Sequence, residues 1–234
     1  MPIVFKTDNA GNYLNSLYDL SPTENNPLIL PSGRKIYRHS TLPGSVLMFN
    51  DGVDRSVLVL DAQFRIGTLD TSKKYGWFNT DVPNITEIDI SDWYLNTLSG
   101  YPDNITDDTI NNKMKDINTS RHNTDALLES GYPSYDLPEI AQYCRSIVIG
   151  NELACDLPTI NILMRMFLDK KAIDNLDSTI IEYPTRSLTT IWTDSYIWSS
   201  SECSAITAWG VNYDSGVLPY TKSGTFRVAP VYEL

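Results

Sequence analysis

The C-terminal segment, residues 192–234, constrains the fold of this chain more strongly than any other part. Three short apolar runs, at 196–198, 208–211 and 226–231, are separated by clusters of Ser, Asn, Asp and Gly. Aromatic and β-branched residues bounded in this way predict strands. Gly216 follows Asp and Ser, and because glycine tolerates a positive φ, it predicts a hairpin turn. The segment therefore predicts a small antiparallel sheet whose last strand is buried beside the C-terminus.

Two amphipathic helices are predicted before this sheet. The first begins near Asp136 and Pro138, which favour a helix start, and its apolar residues recur at helical spacing as far as Val148. Gly150 then ends it. The second begins at 158–159 and again places its apolar residues on one face. Helices followed by an antiparallel sheet predict an α+β domain.

The middle of the chain predicts strands first and loops later. Residues 46–49 and 56–60 predict two strands joined by a turn at 51–52. Residues 79–122 are dense in Asn, Asp and Thr and predict long loops, which often carry recognition. A short capped helix is predicted at 123–129.

The chain is predicted to divide into an N-terminal attachment arm, residues 1–41, and a body, residues 42–234. The apolar residues of the arm are too few to bury a core by themselves. We therefore expect the arm to be extended or strand-adding, and to order against the body, a partner subunit or a scaffold. The alternative is a plain N-terminal extension that folds onto its own domain.

Charge and hydropathy exclude two classes of partner. The formal net charge of −11 argues against nucleic-acid binding, because phosphate contacts need a basic surface. The start of the chain has neither the basic flank nor the apolar run of a signal peptide, and no stretch approaches the ~20 apolar residues of a membrane helix. We therefore expect no membrane association, and synthesis in the cytosol without export unless a particle carries the protein out.

The sequence predicts no catalytic residue, no metal site and no cofactor. His39 and His122 lie in no nucleophile or metal-ligand pattern, and there is no phosphate-binding loop, Cys-x-x-Cys pair or serine elbow. An odd number of cysteines, Cys144, Cys155 and Cys203, argues against a disulfide framework. Cys144 falls on the apolar face of the first helix and is predicted to be buried. Cys203, in the most loop-like setting, is the candidate for a reactive thiol.

A set of short motifs resembles a C-type-lectin-like domain. It combines a Trp-Ser-Ser-Ser-Glu segment, an Ala-Trp strand, a glycine turn, a lysine-containing loop and a closing Arg-Val-x-Pro-Val. The matching residues are Trp198, Ser199, Ser200, Ser201, Glu202, Ala208, Trp209, Gly216, Lys222, Arg227, Val228, Pro230 and Val231. Shorter matches at 44–47, 57–60, 141–145 and 156–159 extend the resemblance over roughly residues 42–234.

The chain is most similar to the version of this domain in gut bacterial surface proteins and phage proteins. The superfamily also contains the variable proteins of diversity-generating retroelements and the formylglycine-generating enzymes. The resemblance implies a C-type-lectin-like α+β fold with two amphipathic helices and a small twisted antiparallel sheet, preceded by the arm. The sugar-binding Glu-Pro-Asn, Gln-Pro-Asp and Trp-Asn-Asp motifs of calcium-dependent lectins are absent from the sequence, and no formylglycine-type cysteine pair can be placed, so neither activity is carried over.

The resemblance also implies a ligand-binding surface in the final strands and their loops, where the retroelement-diversified relatives contact their ligands. Carried over by position, this surface comprises Thr193, Asp194, Tyr196, Ser200, Glu202, Ser204, Thr207, Asn212, Tyr213, Asp214, Tyr220 and Lys222. Tyr, Ser, Asn and Asp suit adaptable recognition, with Tyr giving large contact area at low entropy cost. Trp198 and Trp209 lie inside apolar runs and are expected in the core.

An adhesin-type fold without an export signal predicts a non-enzymatic bacteriophage virion protein, because phage particles assemble in the host cytoplasm and leave by lysis. The expected place is a head fibre, tail fibre or fibre tip. The arm would bind other virion proteins, the body would bind a host-surface glycan or protein, and the chain would form a homo-oligomer, with a trimer favoured. The alternatives are a purely structural capsid or tail decoration protein, a bacterial surface adhesin and a formylglycine-generating-type enzyme.

Overall fold

The computed structural model shows a mixed α+β protein. It describes residues 28–29, 35–38, 46–50, 56–60, 75–77, 82–90, 110, 113, 118–130, 139–149, 153–165, 196–212 and 216–233. The helices are α1 (Ser120–Glu129) and α2 (Glu139–Ser146), and residues 160–165 are also helical. The strands are β1 (Leu28–Ile29), β2 (Lys35–Arg38), β3 (Val46–Asn50), β4 (Ser56–Leu60), β5 (Tyr75–Gly76), β6 (Val148–Ile149), β7 (Leu153–Ala154), β8 (Tyr196–Ser204), β9 (Thr207–Asn212), β10 (Gly216–Thr221), β11 (Thr225–Phe226) and β12 (Val231–Glu233).

A five-stranded antiparallel sheet connects the two ends of the described chain, in the order β1-β2-β3-β4-β12. The predicted strand pair β3 and β4 is confirmed, with Val46 opposite Leu60. The predicted burial beside the C-terminus is confirmed at Val231, but β12 pairs with β4, Val231 opposite Val59, instead of joining the small C-terminal sheet in which it was predicted. Because β1 and β2 belong to the predicted arm, this sheet continues across the predicted boundary at residue 41. The pairing fits both a strand-adding arm and the alternative of an extension that folds onto its own domain, and the division at residue 41 stays a prediction.

The predicted C-terminal sheet is a separate three-stranded antiparallel sheet in the order β10-β9-β8. The predicted need for glycine at 216 is confirmed, because Gly216 pairs with Asn212 and has a φ of 77°. Strand β10, which follows it, was not predicted, since the motif pattern placed a lysine-containing loop there. The prediction of one continuous strand at 226–231 is wrong, because the structure divides this run between β11 and β12. Pro230 interrupts the run, since proline has no N–H to donate to a sheet ladder.

The helix boundaries differ from the predicted ones. The helix predicted at 123–129 begins at Ser120, where the Thr119 hydroxyl accepts a hydrogen bond of 3.2 Å from the His122 amide. Asn123, the predicted start, is instead buried in the second turn. Helix α2 ends at Ser146, two residues before its predicted end, because Val148 opens a strand that pairs with β7. Residues 82–90 contain neither helix nor strand, as predicted for this region, but 110 and 113 are helical.

The hydrophobic core lies between the helices, the segment around residue 77 and one face of the C-terminal sheet. The predicted burial of Trp198, Trp209 and Cys144 is confirmed, since all three are fully buried. The C-terminal sheet therefore packs against the hydrophobic core. The main buried cluster consists of Trp77, Val82, Ile85, Ala126, Leu127, Ile140, Ala141, Cys144, Leu157, Trp198, Ala208 and Val228.

Candidate functional site

Eight of the twelve predicted surface residues fall within the described chain, and all eight lie on the C-terminal sheet or its loops. These eight are Tyr196, Ser200, Glu202, Ser204, Thr207, Asn212, Tyr220 and Lys222. Thr193, Asp194, Tyr213 and Asp214 lie outside the described residues. The structure separates the eight into three groups, which are an aromatic cluster, a hairpin turn and a buried set.

The aromatic cluster consists of Tyr196, Trp198, Tyr220 and Phe226. The ring centroids of Tyr196 and Tyr220 lie 4.5 Å apart, and Phe226 lies 5.0 Å from Tyr196 and 4.9 Å from Tyr220. Trp198 lies on the core side of the cluster, with its ring centroid 4.5 Å from that of Phe226. The other three rings are half-buried, and Tyr220 and Phe226 also pack against the main buried cluster. Asn212 pairs with Tyr196 across the strands and places an amide side chain beside the rings.

Gly210 allows the Tyr220 ring to lie against the sheet. A Cβ at this position would come within 3.1 Å of Tyr220 Cδ2 and 3.0 Å of the Ile197 carbonyl oxygen. Both separations are shorter than ordinary van der Waals contact, so any larger residue would push the ring away. Phe226, like Trp198, was not predicted as a contact residue, because each lies in an apolar run typical of a buried strand.

The hairpin turn joins β8 to β9 at 204–207 and contains two predicted contact residues. The hydroxyls of Ser204 and Thr207 bond to each other at 2.7 Å, and the Ile206 amide donates to Ser204 Oγ at 3.3 Å. Ile206 itself is 66% exposed. Thr207 and Asn212 are the two ends of β9, so the turn and the Asn212 side chain are separated by about 17 Å of strand. The half-buried predicted residues therefore form two separate patches, the aromatic cluster with Asn212 and the hairpin turn, instead of one continuous surface.

Three predicted surface residues, Ser200, Glu202 and Lys222, lie in the interior. Glu202 is fully buried, Lys222 is 1% exposed, and the two side chains form a buried ion pair. Ser200 is fully buried and accepts a hydrogen bond of 3.0 Å from Asn123 Nδ2 through its carbonyl oxygen. A ligand that approaches from solvent does not reach these side chains. Among the eight residues that the structure describes, the candidate surface is therefore narrowed to Tyr196, Ser204, Thr207, Asn212 and Tyr220.

A second charge cluster, around the buried Asp156, was not predicted from the sequence. Asp156 is 1% exposed, with Arg145 Nη2 at 3.0 Å and Arg121 Nε at 3.6 Å from its carboxylate. Its backbone exchanges hydrogen bonds of 2.7 and 3.0 Å with Val231, and the Arg121 guanidinium lies 5.7 Å from the Tyr232 ring centroid. The cluster therefore ties the last strand to α1 and α2. No spacing rule connects these residues, since each comes from a different element.

Among the residues that the structure describes, no group of three or more His, Cys, Asp or Glu side chains is placed to hold a metal ion. Within the same residues, every helix is too short or too polar to cross a membrane. All three cysteines are free thiols, with Cys144 and Cys155 buried and Cys203 half-buried.

The cysteines are expected to react poorly while the protein is folded. Burial raises the pKa of the Cys155 thiol to about 12 and also raises the pKa of Cys144 well above its usual range. Partial burial raises the pKa of Cys203 as well, although a hydrogen bond with Thr207 opposes that shift. Because the thiolate is the reactive form, iodoacetamide at pH 8 should leave Cys144 and Cys155 unmodified and label Cys203 slowly. Mass spectrometry of the native and urea-unfolded protein checks this, and fast labelling of Cys144 in the native protein would contradict it.

Comparison with models of known protein families, with curated proteins and with solved structures finds no match to this chain. The C-type-lectin-like resemblance therefore stays a prediction that rests on the sequence motifs. What the structure shows is an α+β protein with a three-stranded antiparallel sheet near its C-terminus.

Proposed function

We propose that this protein is a non-enzymatic bacteriophage virion surface protein whose C-terminal sheet binds a glycan or protein on the host surface. The lectin-like motifs support the class of protein. The observation that carries the binding role is the meeting of Tyr196, Asn212 and Tyr220, three predicted contact residues, around a half-buried aromatic cluster. Their separation in the sequence makes this meeting a product of the fold.

The cluster has the physical properties of a recognition surface. Tyrosine supplies a large amphipathic contact area and loses little conformational entropy on binding. The Tyr220 ring is held against Gly210, and Trp198 supports Phe226 from the core. A surface that is ordered before binding does not need to be ordered by the ligand, which improves affinity. The cluster is thus suited to adhesion and does not require a reacting group.

We further propose how the protein attaches to the particle and assembles. The arm binds other virion proteins, and the chain forms a homo-oligomer, most simply a trimer, at a head fibre, tail fibre or fibre tip. The pairing of β2 with β3 supports an arm that acts by adding strands to a sheet. Strand addition provides affinity through main-chain hydrogen bonds, so the same mode is available for a contact with a neighbouring protein.

Binding of the purified protein to intact candidate host cells tests the proposed function. We expect saturable binding by the wild type, and about tenfold weaker binding by the double variant Tyr196→Ser/Asn212→Ala, because central tyrosines commonly dominate interfaces. Gln142→Ala, an exposed change on α2, is the matched control and should bind as the wild type does.

The thermal midpoint of each variant must be measured beside its binding, so that a loss of binding is not confused with unfolding. A folded double variant with unchanged binding would contradict a site at the aromatic cluster. A folded wild-type protein that binds no candidate host would contradict the adhesion role and favour the structural decoration protein.

A further inference from the structure

Two loops that are distant in the sequence meet at Glu202. The Val82 amide donates to Glu202 Oε1 at 3.1 Å, across 120 residues of sequence. The Ile88 amide donates to the Glu202 carbonyl oxygen at 3.0 Å. Glu202 also lies two residues before the hairpin turn at 204–207. One buried residue therefore connects the segment 82–88 to that turn.

Lys222 completes the connection from a third loop. Its ammonium donates to the Glu202 carboxylate and to the Ala205 carbonyl oxygen, the latter at 2.9 Å. Its own amide donates to the Ile206 carbonyl oxygen at 3.1 Å. On the other side, the Trp77 amide donates to the Lys222 carbonyl oxygen at 3.1 Å, and the ammonium lies 4.7 Å from the Trp77 ring centroid. Lys222 thus holds the turn through both its side chain and its backbone.

Stability alone does not account for this arrangement. Removing a carboxylate and an ammonium from water costs several kcal/mol per ion, and well-packed apolar residues often stabilise a fold at least as well as a buried ion pair. What apolar residues cannot do is hydrogen-bond the Ala205 carbonyl and the Val82 amide. An ammonium has three donors and a carboxylate accepts several bonds, so this pair can fix backbone groups of two loops simultaneously.

We propose that the Glu202–Lys222 ion pair is a positioning device that holds the hairpin turn 204–207 and the segment 82–88 in one fixed arrangement. The surface that results carries Ile206, 66% exposed, next to a loop whose residues 83, 84, 86 and 87 are exposed. The conformation of this surface is set from inside the protein, before any partner binds. The proposal does not depend on the adhesion role, because it concerns the free protein.

Hydrogen exchange of the double variant Glu202→Met/Lys222→Met tests the proposal, because methionine removes both the charges and the side-chain hydrogen bonds to Val82 and Ala205. The variant removes both charges together and keeps similar side-chain volumes, so the thermal midpoint should change by only a few degrees. We expect amide exchange in 82–88 and 204–207 to accelerate about tenfold or more, while exchange in the centre of β9 stays at the wild-type rate. Asp125→Asn, which removes an exposed partner of Arg145 on α1, is the control and should leave both loops unchanged.

Each other result would overturn the proposal. Equal acceleration in the two loops and in β9 would show that the pair stabilises the fold as a whole. No acceleration in the loops would show that they are held without the pair. Failure of the double variant to fold would also count against a positioning role, because the pair would then be required for the fold itself.

Discussion

Replacing Lys222 alone by methionine is expected to lower the free energy of unfolding by about 3–5 kcal/mol. The change leaves the carboxylate of Glu202, which is fully buried, without the ammonium that neutralises it. The hydrogen bond from the Val82 amide, 3.1 Å long, does not replace a full charge. Denaturation by urea, followed by circular dichroism, measures the loss.

The charge-balanced double variant is the control for this prediction. If the loss comes from an isolated buried charge, adding Glu202→Gln to Lys222→Met should restore most of the stability, because no ion is then left unpaired. A loss below about 1 kcal/mol in the single variant would contradict the prediction and indicate that water reaches Glu202. An equal loss in the single and double variants would assign the effect to packing.

Replacing Trp198 by alanine is expected to cost about 3–5 kcal/mol of unfolding free energy. Trp198 is fully buried, contacts Phe226 at a centroid distance of 4.5 Å and belongs to the main core cluster. Its loss removes apolar contacts and leaves a cavity beneath the aromatic cluster. Because Phe226 and Tyr220 rest on Trp198, host-cell binding should weaken in the same variant, even where it remains folded.

Two further variants serve as comparisons for the stability loss expected in Trp198→Ala. Trp198→Phe keeps an aromatic ring in the core and should cost less than the alanine variant. Ile206→Ala removes an apolar side chain that is 66% exposed, so its effect on stability should be within about 0.5 kcal/mol of zero. A Trp198→Ala protein as stable as the wild type would contradict the interior position of this residue.

The buried ion pair and the aromatic cluster act on different parts of the same sheet. Lys222 holds the hairpin turn at 204–207, whereas Tyr196 and Asn212 lie opposite each other at the other end of β8 and β9. The double variant Tyr196→Ser/Asn212→Ala should therefore change binding without changing exchange in the turn. The two proposals can fail independently of each other.

Several elements of the fold were predictable because their signals are local. The β3–β4 pair follows from apolar runs around turn residues, and Gly216 has the positive φ that its turn required. Element ends were less predictable. Val148 continues the helical apolar spacing of α2, yet its backbone pairs with Ala154 in a short strand. The spacing of apolar residues along the sequence does not show that a helix and a strand partner compete for the same residue.

The sequence by itself determined strands β8 and β9 and the burial of Trp198, Trp209 and Cys144, because these properties follow from local hydrophobic pattern. Only the tertiary structure decided which polar residues of the same segments face solvent. Glu202 and Lys222 resemble surface residues until each is placed beside the other and beneath Trp77. Burial of a charged side chain depends on a partner elsewhere in the chain, and that partner is identified only when the chain is folded.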